Sequence, residues 1–141
     1  MRLLTIIWVL IIAFGHTGKK NIAAQPVGLN GTWLPYKQEM GGKQWPAAIV
    51  EKQKLIIADS AYTVIAESVD KGVVKYAGDN KMDIYGRDGV NKGRHFTAIY
   101  KLENGELWIC YNLKGDSYPE AFETTGKPLY FLSVFKKEPA K

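Results

Sequence analysis

The sequence is short of several residues on which common functions depend. It has one cysteine, Cys110, so no disulfide can form within the chain. It has two histidines, and His95 is the only one beyond the first 24 residues. Internal repeats and low-complexity tracts are absent, and 141 residues are enough for one domain. Such a domain has to be stabilised by its apolar core alone.

No apolar run reaches the roughly 20 residues that a membrane-spanning helix needs. The longest run, residues 3–14, follows Arg2 and is typical of the apolar region of a signal peptide. We predict a signal peptide over 1–24 with cleavage after Ala24; an earlier cut near 13–15 and retention as an N-terminal anchor are the alternatives. The protein is therefore expected to be exported, to the periplasm or beyond the cell, without a stable membrane span after processing.

The excess of basic residues depends largely on this N-terminal segment. Removing residues 1–24 removes Arg2, Lys19 and Lys20 and no acid, which lowers the formal charge from +5 to +2. The remaining basic residues are scattered, with no basic stripe interleaved with aromatics. Nucleic acid is therefore not an expected partner.

A β-hairpin over residues 94–113 is the clearest structural signal. Asn104-Gly105 between two β-rich runs predicts a type I′ turn, because both central residues need positive φ. This register gives one apolar face and one mixed face that suits partial exposure. Cys110 falls on the mixed face, opposite Ile99, where a small packed thiol is favoured over a nucleophile. The pairs on the apolar face are Leu102 with Leu107, Tyr100 with Ile109, Ala98 with Tyr111 and Phe96 with Leu113.

Eight segments in all are predicted to be strands, most of them joined by short turns. A meander of eight strands tends to close, because closure removes both sheet edges. We predict an all-β fold, an eight-stranded antiparallel up-and-down barrel over 31–138 with one short helical turn after the first strand and a linker over 25–30. An open or sandwich-like sheet is the alternative. Turns are expected at 59–60, 70–72 and 78–80, and a mobile rim loop at 86–94. The predicted strands are 29–39, 54–58, 61–66, 73–77, 81–85, 96–102, 107–113 and 129–136.

The start of the first strand, Gly31-Thr32-Trp33, resembles the Gly-x-Trp signature of lipocalins. In that superfamily the tryptophan plugs the closed end of the barrel and a basic residue near the last strand covers it. The resemblance implies this role for Trp33, with Lys136 or Lys137 in place of the usual arginine.

A closer resemblance covers residues 29–137. Leu29-Asn30-Gly31-Thr32-Trp33, the run 96–111 and the final Leu132-Ser133-Val134-Phe135-Lys136-Lys137 resemble a small exported lipocalin-like domain family, first described as an uncharacterised planctomycete domain. That family has no assigned activity. The resemblance therefore implies a fold and export, and it transfers no catalytic residue.

No catalytic constellation is visible in the sequence, and we expect neither an enzyme nor a cofactor or metal. His95 opens a strand with no evident partner and is expected to be exposed and structurally idle; a catalytic role would require a carboxylate within reach in a cleft. The acidic and amide residues on two neighbouring loops do not follow a calcium-loop pattern. Turn formation explains them: Asp79, Asp83, Asp88 and Asn91.

The inner face of the predicted barrel suggests a function. Several of its residues are tyrosines, whose buried hydroxyls need a partner or a ligand. We predict a pocket for a small, apolar ligand in the barrel mouth, with a solid side-chain core as the alternative. A second hypothesis is an envelope protein-interaction or inhibitor domain that acts through the loops around Trp45, 86–94 and Tyr118, its protein partner unknown. The predicted ligand-binding residues are Tyr62, Phe96, Tyr100, Ile109 and Tyr111.

Overall fold

A computed structural model, which describes residues 24–141, shows a closed antiparallel barrel. The elements are β1 (Gly31–Met40), β2 (Lys43–Gln44), α1 (Ala47–Val50), β3 (Lys54–Ala58), β4 (Ala61–Ile65), β5 (Val69–Ala77), β6 (Lys81–Asp88), β7 (His95–Glu103), β8 (Glu106–Asn112) and β9 (Tyr130–Lys137). From β3 onward every strand pairs with the next one in the chain, and β1 pairs with both β3 and β9. The predicted eight-stranded up-and-down barrel is thereby confirmed, with the two-residue β2 as an extra strand beside β1.

The barrel has two unlike ends. The open end carries the three long connections, 41–53, 89–94 and 113–129, and the short turn 66–68. The closed end carries the tight turns and the segment 24–30. Leu29 in this segment is fully buried in the core. Residues 25–30, expected to be a linker, therefore cover the closed end.

The N-terminal predictions fall largely outside the part of the chain that the structure describes. The predicted signal peptide and its alternative cut lie there, apart from Ala24. Within residues 24–141, no helix has the length and apolar character needed to cross a bilayer.

The central hairpin has the predicted register. Leu102 pairs with Leu107 and Tyr100 with Ile109, around a turn in which Asn104 and Gly105 have φ of 52° and 76°. Leu107 is fully buried, but Leu102 is 41 % exposed because it lies at the last turn of the closed end. Leu102 therefore shares the face of Leu107 and Tyr100, as predicted, but lies at an exposed end of that face. The pair expected beyond Asn112 is absent because β8 ends there.

The other face of this hairpin is more buried than predicted. Residues 113–129 fold back over it, and Cys110 packs there with Leu132 and Val134 in a second small core. Polar groups under this cover are paired: Asn112 Nδ2 donates to the carbonyl oxygen of Ser117 at 2.9 Å. The expected partial exposure is confirmed for Ile99, Lys101 and Trp108. It was wrong for Thr97, Cys110 and Asn112, because sheet alternation alone does not reveal a covering loop. The packed-thiol prediction for Cys110 is confirmed.

Strand β5 begins earlier than predicted. The chain turns at 66–68, so Gly72 lies inside β5, opposite Tyr62, and the turn expected at 70–72 was wrong. A Cβ atom at Gly72 would lie 2.1 Å from the carbonyl oxygen of Tyr85 and 2.6 Å from the Tyr62 ring. Glycine is thus required here by the neighbouring strands. Strand β6 likewise continues to Asp88, which shortens the predicted rim loop to 89–94.

Candidate functional site in the barrel interior

A cavity of about 180 Å³ lies inside the barrel below the open end. Its walls come from β3 to β6 on one side and from β7 to β9 on the other, because alternate residues of each strand point inward. The lining is predominantly apolar, and its floor belongs to the main hydrophobic core. The barrel is therefore not filled completely by its own side chains. The apolar residues contributed by β3, β5 and β6 are Leu55, Ile57, Val74, Met82 and Ile84.

Four of the five predicted ligand-binding residues line this cavity. They are Tyr62, Phe96, Ile109 and Tyr111. Tyr100 points inward as well but is not part of the lining: its ring packs edge-on against Tyr76, with centroids 6.2 Å apart. Alternation gave the correct face for all five residues. Alternation does not indicate which neighbouring ring a side chain packs against. The packing of Tyr100 on Tyr76 keeps Tyr100 out of the cavity lining.

The mouth of the cavity holds a buried carboxylate that the sequence analysis missed. Asp70 is 8 % exposed, and its two oxygens accept hydrogen bonds from the backbone N–H and the side-chain amide of Asn91, at 3.1 and 3.2 Å. The contact ties the 89–94 loop to β5. Gly89 is packed against the same group, since a Cβ there would lie 2.3 Å from Asp70 Oδ1. The sequence predicts a turn at Asp70, and only the true start of β5 at Val69 brings this residue to the rim.

The tyrosines around the cavity are held in their neutral form. Burial, and next the charge of Asp70, raise the pKa of Tyr62. Burial also raises the pKa of Tyr100 and of Tyr111. Burial likewise raises the pKa of Tyr76, against an opposing effect of Gln25, which approaches that hydroxyl without a hydrogen bond of normal geometry. The cavity therefore offers phenol hydroxyls and apolar surface, and its one acid is already hydrogen-bonded at the rim.

Trp33 fills the closed end as the lipocalin resemblance implies. It is 2 % exposed, and its Nε1 donates to the carbonyl oxygen of Leu29 at 2.9 Å. Of the two lysines considered as its cover, Lys137 has its Nζ 5.5 Å from the Trp33 ring centroid. Lys136 instead lies over Tyr36, at 4.9 Å. The alternation of β9 separates the two lysines, since adjacent residues of a strand face opposite ways.

His95 is not isolated, and the prediction that it is structurally idle was wrong. Its Nε2 lies 2.7 Å from Asp83 Oδ1, and its ring stacks on Tyr85 with centroids 4.7 Å apart. The second oxygen of Asp83 accepts a hydrogen bond from the Tyr118 hydroxyl. The pairing of Tyr85 with His95 explains the contact: Asp83 is two residues from Tyr85 and shares its face, so the β6–β7 register was the missing signal.

This histidine cluster belongs to the outer wall and takes no part in the cavity. Neither His95 nor Asp83 is among the cavity-lining residues. Within the described residues, no group of three histidine, cysteine or acidic side chains is placed to hold a metal ion. The four residues weighed as calcium ligands are spread over the barrel, with Asp79 at the closed end and Asn91 at the open end.

The loops considered for a surface function contact different parts of the barrel. Trp45 packs on Phe131, with ring centroids 5.1 Å apart. Tyr118 is bound to Asp83 on the wall formed by β6 and β7. Val90, in the loop after β6, is largely exposed. These side chains do not form one aromatic cluster.

Comparisons with family models, with curated proteins and with solved structures give no match for this chain.

Proposed function

We propose that this protein is an exported, lipocalin-like binding module that holds a small apolar ligand in the barrel mouth. The observation that carries the proposal is the apolar cavity of about 180 Å³ below the open end. Well-packed domains contain few voids larger than a water molecule. A cavity of this size, lined by residues from nearly every strand of the barrel, is therefore a feature that a ligand would explain.

The volume sets the size of the ligand. Sites for drug-sized molecules usually measure about 300–1,000 Å³, whereas an apolar cavity of about 150 Å³ is large enough to bind benzene. A ligand of the size of benzene or of a short alkyl chain fits the space of about 180 Å³. Large ligands would require the mouth to widen.

The electrostatics favour a ligand without charge. The tyrosines that line the cavity are uncharged near neutral pH, and burial raises the pKa of Tyr62 and of Tyr111 further above their ordinary value of 10.0. A charged group inside this apolar space would lose its hydration, and the one carboxylate of the lining, Asp70, lies at the rim with both oxygens hydrogen-bonded to Asn91. The predicted signal peptide over 1–24 supports a role outside the cytoplasm.

Binding can be tested with small apolar probes. Benzene, toluene and cyclohexane are titrated into the ¹⁵N-labelled protein, and saturable amide shifts are expected at the residues that line the cavity. Native mass spectrometry of protein purified from its own envelope would show whether a small molecule co-purifies.

A matched pair of variants on β4 locates the site. Val64 lines the cavity, whereas Thr63 is the next residue and faces the other way. Val64→Trp should fill the mouth and weaken probe binding about tenfold or more, which is about 1.4 kcal/mol. Thr63→Trp should leave binding unchanged. Equal binding by both variants, or no saturable shift with any probe, would refute the proposal.

A further inference from the structure

A second, smaller chamber of about 60 Å³ adjoins the main cavity. It lies toward β1 and β9, and polar groups are among its lining residues: Gln38, Gln53 and Ser133. The two chambers share four lining residues and are therefore direct neighbours. The shared residues are Leu55, Val64, Tyr111 and Phe131.

The chamber exists because β1 changes partner along its length. Its first residues, Gly31–Trp33, pair with β3, while its later residues pair with β9 after a register shift between Pro35 and Lys37. Toward the open end of the barrel, the seam between β1 and β3 therefore has no backbone pairing. The helix α1 and residues 51–53 fill this seam, which lets a side chain from that connection, Gln53, meet Gln38 of β1 inside the barrel.

Gln38 lines this chamber and has one buried atom without a hydrogen-bond partner. It is 3 % exposed, and its Nε2 donates to Gln53 Oε1 at 2.8 Å and to Ser133 Oγ at 3.1 Å. Gln53 Nε2 is turned toward the carbonyl oxygen of Ile49, 3.5 Å away, so Gln53 presents its oxygen to Gln38. Within residues 24–141, Gln38 Oε1 accepts no hydrogen bond. Buried acceptors of this kind are rare and call for a donor.

We infer that the small chamber is the head-group subsite of the ligand, an inference that rests on the proposed function. The ligand is then a small neutral amphiphile: its apolar body occupies the main cavity, and a hydroxyl donates a hydrogen bond to Gln38 Oε1. The rest of the chamber argues against a charged head. Pro35, Leu55 and Phe135 are apolar, and the ammonium of Lys54, which also lines the chamber, is 3.4 Å from Glu138 Oε1.

A bound water is the competing occupant of the chamber. A space of about 60 Å³ holds a water molecule, which would donate to Gln38 Oε1 equally well. The two possible occupants lead to different expected ligand selectivities. If water alone satisfies Gln38, the cavity will not discriminate between ligands that have or lack a donor.

Two isomers of one composition separate these cases. Hexan-1-ol has a hydroxyl donor, whereas methyl pentyl ether has the same atoms and only an acceptor. Titration of the full protein with each is expected to show the alcohol binding about tenfold more tightly, since the ether leaves Gln38 Oε1 without a donor. The side-chain amide signals of Gln38 should shift with the alcohol and not with the ether.

The outcomes distinguish this inference from the function on which it rests. Failure of both isomers and of the apolar probes to bind would overturn the proposed function. Equal affinity for the two isomers would overturn the head-group subsite alone and leave the chamber to water.

Gln38→Met adds a direct test, because it removes the acceptor and keeps the length of the side chain. The preference for the alcohol should disappear, while affinity for the ether stays the same. Gln44→Met, on the exposed strand β2, is the matched control and should retain the preference. A preference that survives Gln38→Met would overturn the inference. If that variant does not fold, the comparison of the two isomers and the amide shifts of the wild-type protein still decide it.

Discussion

His95 Nε2 and Asp83 Oδ1 lie 2.7 Å apart on the outer wall of the barrel. The same carboxylate accepts a hydrogen bond from Tyr118, which belongs to the long connection before β9. Asp83 therefore joins two neighbouring strands to the segment that covers the second small core. The contact stabilises this cover, because Tyr118 is anchored close to where the segment leaves β8.

Tyr118→Phe should remove part of the loss of stability at alkaline pH. Burial, and next the hydrogen bond to Asp83, raise the pKa of Tyr118 from 10.0 to about 12. Because the folded pKa is above the unfolded one, this stabilisation is complete below pH 10 and is lost as the pH rises from 10 to about 12. Urea unfolding measured at steps across this interval checks the effect. A variant whose profile matches the wild type would contradict it.

Gly72→Ala should destabilise the barrel by about 1–3 kcal/mol or more, as expected for overpacking. The added Cβ would lie 2.1 Å from the carbonyl oxygen of Tyr85, a backbone atom that cannot move freely. Gly78→Ala is the control, since a Cβ there has nothing within 4 Å. Its effect should stay within about 0.5 kcal/mol. Similar free energies of unfolding for the two variants would show that Gly72 is not packed as described.

Gly72 also illustrates what the sequence could not reveal. The turns at Asp59-Ser60 and Asn104-Gly105 were predicted correctly because a turn depends on its own residues. Gly72 looks like another turn residue in the sequence, but its role is set by Tyr62 and Tyr85 on neighbouring strands. Local chemistry therefore predicted most strands and the closed meander, and it misplaced the start of β5 and the end of β6, where Gly72 and Gly86 lie inside strands.

The residues of the candidate site likewise include some that the sequence predicts and some that it does not. Tyr62 and Tyr111 could be predicted because alternation along a strand assigns the inner face. Asp70 and Gln38 could not be predicted. The burial of Asp70 depends on where β5 begins, and that of Gln38 depends on the seam where β1 no longer pairs with β3. Both are polar residues whose burial follows from the partners of their strands.

Trp33→Phe should lower the free energy of unfolding by about 1–3 kcal/mol, because the carbonyl oxygen of Leu29 loses its buried donor. Trp45→Phe is a matched control at the open end, where the indole is partly exposed against Phe131. Its cost should be at most about 0.5 kcal/mol. Denaturant titrations followed by far-ultraviolet circular dichroism avoid the change in tryptophan fluorescence. The plug role assigned to Trp33 fails if the two variants lose equal stability.

Cys110 should be inert to thiol reagents in the folded protein. It is fully buried under residues 113–129, and burial raises its pKa to about 11, so little thiolate is present near neutrality. Labelling with a chromogenic disulfide then requires opening of the second small core, and full reaction is expected in denaturant. Val134→Ala, in the same cluster, should speed the reaction about two- to tenfold or more, the factor that corresponds to a destabilisation of about 0.5–1.5 kcal/mol or more. Val90→Ala, in an exposed loop, should not change the rate. Rapid labelling of the wild-type protein in the absence of denaturant would mean that the segment 113–129 does not hold its cover over β7–β9.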